Sequence, residues 1–321
     1  MPARSTLRLR LRKWLQRVGA RCAVLVGLAL TRYLTVRQID RLGNVLGSLA
    51  YVLMIGRRRY MAENLDQAFG DGLSRGRKCE IATASMRNLA KTCLEFLKMH
   101  WLSGEQVDEL LELDGEEHLA EALRQKQGVV LLTAHYGNWE LTGARIARAG
   151  FPISVIARDH DDPATAAAVN GIRESHGVQV LQRGGVRDAL RCLRRNEVVG
   201  ILPDHNISQG GLLVDFFGRP ATTAPGPATY ALRTGAAIVP MFCVRQADGR
   251  LKAIFEPPMK LVRTGDRAQD VLVNTQRITK VVEEAIRRHP EQWMWIHRRW
   301  KSAPPLDGAA ATSTEPGVPE P

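Results

Sequence analysis

Between residues 128 and 255 the chain alternates short apolar runs with amphipathic stretches, and nothing else in it constrains the fold as much. The runs at 128–133, 153–157, 178–181, 198–203, 236–244 and 251–255 have the length of strands. Residues 140–149, 163–176, 186–195, 225–234 and 268–289 have the pattern of helices. Such alternation predicts an α/β fold, a mixed and largely parallel sheet flanked by helices. Before it, from Tyr60 to about Gln127, the pattern is helical throughout. Leu89, Cys93, Phe96 and Leu97 recur at helical spacing, and residues 106–113 and 118–124 continue in that style.

The first 39 residues carry nine Lys or Arg and no acid; Asp40 is the first negative charge. Two uncharged stretches, 22–31 and 42–56, interrupt this basic region. The longer one would span about 22 Å as a helix, short of the roughly 30 Å of a bilayer's hydrocarbon core. A basic anchor lying in a negatively charged membrane surface fits this pattern best. A buried helical hairpin with a solvated basic arm and a single tilted span are the alternatives. The tail from Ser302 is rich in Pro, Ala, Gly and Thr, lacks aromatics, and is expected to be disordered. The expected organisation is therefore residues 1–59 as membrane-associating helices, 60–127 as a helical region, 128–301 as the α/β core and 302–321 as a tail. The net charge of +12 points to anionic partners. The five scattered cysteines lack a C-x-x-C pair, which favours reduced thiols and no structural zinc.

Where the run Val129-Val130-Leu131-Leu132 ends, the sequence reads Thr133-Ala134-His135-Tyr136-Gly137-Asn138-Trp139-Glu140. A strand end that delivers an imidazole, with a carboxylate on the next helical turn, has the parts of an oriented general base. Glu140 would hold one ring nitrogen's proton and leave the other nitrogen free to take a proton from a substrate hydroxyl. The run contains no Ser or Cys nucleophile, so activation of a substrate alcohol is favoured over an enzyme-bound intermediate. A capping or core role is the bland reading of His135. The pairing with Glu140, and the gathering of active sites at the carboxyl ends of α/β strands, weigh against it.

Other strand ends add candidates. Arg158 follows the run 153–157 and is suited to a phosphate or an oxyanion. Asp204-His205 follows the run 198–203, where Asp204 is placed to orient the site or to cap a turn. Asn170 and Arg173 share a helix face and are candidates for contact with an acceptor, as is Asn138 inside the histidine run. The stretch Trp293-Met294-Trp295-Ile296-His297-Arg298-Arg299-Trp300-Lys301 mixes aromatics with cations. It suits nucleic-acid stacking, a membrane interface, or a final strand with its Trp side chains on the core. Gly72-Leu73-Ser74-Arg75-Gly76 matches the hydrolase pattern G-x-S-x-G but lacks the strand that motif needs. Neither a dinucleotide fingerprint nor a P-loop occurs.

The run from His135 to Glu140 resembles the H-x4-D/E signature of glycerolipid acyltransferases. Its wording is closest to the late (secondary) lipid A biosynthesis acyltransferases of the lauroyl and myristoyl type. The likeness extends through Arg158, Asn170 and Arg173, Asp204, Phe216-Phe217-Gly218, residues 229–240 and the closing 292–301. One departure is visible: the family usually carries Asp-Gln where this chain has Asp204-His205. The resemblance implies an O-acyltransferase on the cytoplasmic face of a bacterial inner membrane. It would move a fatty acyl group from an acyl carrier protein or coenzyme A thioester to a hydroxyl of an anionic lipid A precursor or related glycolipid. His135 and Glu140 would be catalytic, and Asn138, Arg158, Asn170, Arg173 and Asp204 would bind substrate. No cofactor beyond the thioester co-substrate and no nucleic-acid partner are implied. Another lipid acceptor (a phosphatidylinositol mannoside or a lysophospholipid), a hydrolase using the same pair on water, and a non-catalytic basic membrane-binding protein are the competing readings.

Overall fold

A computed structural model describes residues 2–157, 162–182 and 185–302, with side chains from residue 17 onward. Helices come first: α1 (Pro2–Tyr33), α2 (Val36–Leu53), α3 (Ile55–Phe69), α4 (Arg75–Met99) and the short α5 (Gly104–Leu110). Next are β1 (Leu111–Asp114), α6 (Glu117–Arg124), β2 (Val129–Leu132), α7 (Trp139–Arg148), β3 (Ile153–Ala157), α8 (Pro163–Ser175), β4 (Gln179–Gln182), α9 (Val186–Arg194) and β5 (Val198–Ile201). The remaining elements are β6 (Leu212–Phe216), β7 (Arg219–Thr223), α10 (Gly226–Thr234), β8 (Ala237–Arg245), β9 (Leu251–Phe255) and α11 (Arg267–Arg288).

Seven strands form one sheet in the order β1-β9-β8-β2-β5-β3-β4. The five from β8 to β4 are parallel, β9 runs antiparallel to β8, and β1 is parallel to β9. The mixed, largely parallel sheet expected from the sequence is therefore present. β2 and β5 lie inside it and are buried at every position, which is why their runs are apolar without alternation. Successive residues of β2 enter opposite cores. Val130 and Leu132 join a cluster with α3, α9, α10 and α11, while Val129 and Leu131 join one with α6, α7 and α8. Burying one such side chain stabilises the fold by about 1.5–3 kcal/mol, so a charge at any of these four positions would break the layer.

Two expectations are corrected. Residues 106–113 are not one helix, because α5 stops at Leu110 and β1 pairs with the sheet edge at Leu111↔Leu251. Edge pairing that buries Leu111 outweighs the helical propensity of this stretch. The hairpin of β6 and β7 was not anticipated. Its turn is Phe217-Gly218, both with positive φ (59° and 74°), so it lacks the Asn-Gly or Asp-Gly wording that marks such turns. Glu283 stabilises the unusual Phe217 conformation by accepting its N–H at 2.8 Å.

In the N-terminal part, α2 lies directly on α4. A Cβ added to Gly47 would come within 2.4 Å of the Arg87 Cα and 2.6 Å of the Met86 carbonyl oxygen, so the glycine permits this approach. Gly43, one turn earlier, faces Lys91 in the same way. Elsewhere on α2, Val45, Leu46, Leu49, Val52 and Leu53 are exposed, and Leu25, Val26, Leu30 and Tyr33 of α1 are exposed as well. Among the described residues no helix is long and apolar enough to cross a membrane. The expected disordered tail beyond Ser302 lies outside the described residues.

Candidate active site

The turn between β2 and α7 is held from both sides. Beyond the strand, the Thr133 N–H still donates to the Ile201 carbonyl at 3.1 Å. Gly137 has φ +56°, and a Cβ there would sit 1.7 Å from the Cys243 carbonyl oxygen, so no other residue fits. Its N–H donates to the Gln292 carbonyl at 3.0 Å, and its carbonyl accepts from Thr92 Oγ1 at 2.8 Å. Asn138 then caps α7, accepting the Leu141 N–H at 2.9 Å while its Nδ2 donates to Glu95 at 2.7 Å. Glu95 is itself paired with Arg245 at 2.7 Å. This scaffold presents His135 at the carboxyl end of β2, beside the end of β5.

The partner that orients His135 is Asp204. Its Oδ1 accepts from the ring Nδ1 at 2.9 Å, and its Oδ2 accepts the His135 backbone N–H at 3.0 Å and the Trp293 indole N–H at 2.9 Å. Burial of Asp204 pushes its pKa up. The His135 imidazole, its hydrogen bond, His205 and the Trp293 indole outweigh that and hold the carboxyl well below the usual carboxylate range. An ionised Asp204 only accepts, so Nδ1 carries the ring proton and Nε2 keeps a free lone pair. The His135 side chain retains 22% of its surface, enough for a substrate to reach it. The expectation that Glu140 orients this ring is therefore corrected: Asp204 occupies that place.

Glu140 instead forms a second cluster. Its Oε1 accepts from Arg173 Nη2 at 2.7 Å and its Oε2 from Arg173 Nε at 2.9 Å. Arg173 Nη1 donates to Asn170 Oδ1 at 3.1 Å, and the guanidinium lies over the Phe96 ring. The structure thus brings Glu140, Asn170 and Arg173 together as one partly exposed group where α7 meets α8. Asn138 is fully buried and commits its side chain to the cap and to Glu95, so the substrate contact expected of it is corrected. The Gly137 N–H is likewise taken, by the Gln292 carbonyl. Arg158 lies outside the described residues.

The tryptophan-rich segment after α11 is no strand: a short 3-10 turn (Pro290–Gln292) leads into turns. Trp293, Trp295 and Trp300 are buried, and Arg299 is 1% exposed, donating to the Thr222 carbonyl at 2.7 Å. These aromatics belong to the core, and the Trp293 indole also reaches Asp204, a role the composition alone could not separate from interface binding. Sequence reasoning also missed His297, whose ring stacks on that of His205. His135, Asp204 and His205 bring possible ligand atoms within 4.8 Å of one another. They do not suit a metal ion. Both Asp204 oxygens are engaged, and the two imidazoles lie face to face, so their in-plane lone pairs run side by side instead of converging.

Comparison with known proteins identifies the family. The family described as bacterial lipid A biosynthesis acyltransferase matches residues 1–302. The chain is similar to the lipid A biosynthesis lauroyltransferase of Escherichia coli (strain K12), with 28% identity over 308 residues, 95% of this chain and 97% of the relative. It is similar to the lipid A biosynthesis palmitoleoyltransferase of the same organism, with 26% identity over 82% of this chain and 85% of the relative. The phosphatidylinositol mannoside acyltransferase of Mycolicibacterium smegmatis is 26% identical over 69% of this chain and 72% of its own length. The chain, an acyltransferase, belongs to the bacterial lipid A biosynthesis acyltransferase family.

Proposed function

We propose that this enzyme transfers a fatty acyl group from an acyl carrier protein or coenzyme A thioester to a hydroxyl of a lipid A precursor, with His135 as general base. The observation that carries the mechanism is the Asp204–His135 contact, which leaves Nε2 as the one basic ring nitrogen. As the acceptor oxygen attacks the thioester carbonyl carbon, its proton passes to Nε2. An alcohol is far too weak an acid to ionise beforehand against an imidazole, so proton transfer accompanies attack. The tetrahedral oxyanion collapses, the carbon–sulfur bond breaks, and the leaving thiolate takes the proton back from the imidazolium. The products are an ester and a free thiol, and His135 is regenerated.

In this reading Asp204 orients the imidazole and stabilises its charged form. Glu140 holds Arg173, whose remaining N–H groups are offered to an anionic acceptor. Arg158 keeps its expected part as a phosphate or oxyanion partner. The exposed apolar residues of α1 and α2, next to Arg32, Arg37, Arg41 and Arg57-Arg58-Arg59, support docking on an anionic bilayer at the cytoplasmic face of the inner membrane. A phosphatidylinositol mannoside acceptor is the second reading, supported by the likeness to mannoside acyltransferases. A purified-enzyme assay crossing acyl carrier protein and coenzyme A donors with lipid A precursor, mannoside and lysophospholipid acceptors tests these readings. The lipid A precursor should be acylated fastest, and His135→Ala should lose transfer while still binding anionic vesicles. Near-normal turnover by that variant would sink the mechanism.

A further inference from the structure

His205 lies flat against His135, with ring centroids 3.7 Å apart and planes within 5°. His297 lies flat against His205 in turn, at 3.9 Å and 2°. Trp139 meets the His135 ring edge-on at 5.2 Å. Among the described residues, His205 Nε2 and His297 Nδ1 are buried nitrogens with no hydrogen-bond partner. Buried imidazoles are normally held through their nitrogens. His205 and His297 pack through their faces, and His135 through a face as well as through Nδ1. The chain reinforces this stacking: His205 is the neighbour of Asp204, so one strand end supplies both the carboxylate at Nδ1 and a flat surface under the ring. His297 is fixed by its backbone, whose carbonyl accepts from the buried Asn64 Nδ2 at 2.6 Å, and the same amide reaches the Trp295 carbonyl at 2.8 Å.

We propose that His205, backed by His297, is a positioning residue for His135: its face fixes the plane of the catalytic ring, and with it the direction of Nε2. The proposal rests on His135 being the base. A single hydrogen bond at Nδ1 leaves the ring free to pivot about the bond to Asp204, and a stacked face removes that freedom. Small misplacements of a reacting atom are costly to rate. The face also serves the charged state. A cation is favoured over a neutral aromatic surface, whereas two imidazoliums at this separation repel. His205 must therefore stay neutral while His135 takes up its proton. Burial pushes the pKa of His205 down to about 3, and His135, His297 and Arg299 push the same way; of the charged groups facing it, Asp204 alone favours its protonation.

The test is steady-state transfer by the full chain, with His205→Ala and His205→Phe beside wild type and His135→Ala. His205→Ala should lose about tenfold in kcat, roughly 1.4 kcal/mol, with KM changed less than about twofold. His205→Phe restores a face without a titratable nitrogen and should recover to within about threefold of wild type. Spectra of histidine-labelled protein give a readout apart from catalysis. The part of the ring-current shift on the His135 ring protons that the stacked face supplies should be lost in His205→Ala and kept in His205→Phe, while the part from Trp139 stays in both. If His205→Ala fails to fold, the comparison of His205→Phe and His297→Phe with wild type decides. A kcat loss above about tenfold in either Phe variant overturns the proposal. So does a His205→Ala enzyme within about twofold of wild type, or a His205→Phe enzyme as slow as His205→Ala. An active His135→Ala would instead overturn the base itself. An inactive His135→Ala with an unaffected His205→Ala overturns the positioning role alone.

Discussion

Two carboxylates stand near His135, one along the chain and one across the sheet, and the protein uses them differently. Glu140 is five residues on; Asp204 is 69 residues away. Asp204 is 3% exposed and divides its oxygens between the ring, the His135 backbone and an indole. The Glu140 side chain keeps 17% of its surface and gives both oxygens to Arg173. Register explains the difference. Leu132 pairs with Ile201 in adjacent parallel strands, and His135 and Asp204 each lie three residues beyond that pair. Two strand ends at the same level put the two side chains together. Glu140 is instead carried by the first turn of α7 toward α8, where Arg173 stands. Proximity in sequence chose the wrong acid because the intervening Gly137 and the Asn138 cap redirect the chain.

The sharpest way to break this comparison is to neutralise each acid in turn. Asp204→Asn should lower kcat by about 10³–10⁴-fold with little change in KM, since the amide oxygen stays with the His135 and Trp293 N–H groups and its NH2 then faces Nδ1, favouring the wrong tautomer and no longer stabilising the imidazolium. Glu140→Gln should cost less, about 10–100-fold, and act on KM for an anionic acceptor as well as on kcat. Steady-state kinetics of the two variants decide between them: a larger loss for Glu140→Gln would reverse the assignment.

Gly137→Ala tests the turn that separates the two acids. The added Cβ meets the Cys243 carbonyl oxygen at a backbone position that L side chains rarely adopt. Loss of about 4 kcal/mol or more of stability is expected, or failure to fold, read by thermal or denaturant unfolding. A variant that melts like wild type would mean the turn is not held as described.

The smallest effect expected is on pH dependence. In the folded protein burial, then the charge of His135, holds His205 neutral down to about 3, whereas an unfolded histidine protonates near pH 6.5. The unfolded chain therefore binds the extra proton between those values, and stability falls as pH is lowered through that window. From about pH 7 to about pH 5 this one group removes at most about 2 kcal/mol. Melting curves should show that slope in wild type and a shallower one in His205→Phe. Asp204 acts in the same sense at lower pH: its contribution is present above the unfolded carboxyl's pKa and is lost as pH falls toward its depressed folded value.

Much of the sheet is legible in the sequence. The runs at 153–157 and 251–255 are β3 and β9 to the residue, and the helices after β2 lie within a residue or so of their expected bounds. In these elements the local apolar run, or the amphipathic period of the helices, already marks the secondary structure. The strands that escaped reading, β1, β6 and β7, carry Glu112, Asp114, Asp215, Arg219 and Pro220 within them, and their pairing partners decide them. The site divides in the same way. His135 was visible because a polar ring at the end of an apolar strand is unusual, and Asp204 because it ends another. Trp293 and His297 were invisible as site residues, since nothing in a run of aromatics and cations says which side chains turn inward.

By itself the sequence determined the α/β class, the strand end that carries His135, the absence of an adjacent Ser or Cys, and the basic, apolar character of the first helices. All of these are local: they follow from apolar period, residue type and charge counted along the chain. Only the tertiary structure decided that Asp204 orients His135, that Glu140 belongs to Arg173, and that three histidines stack at the centre. Those pairings depend on strand register and on turns that bring distant residues to one level, and register is a property of the folded sheet as a whole.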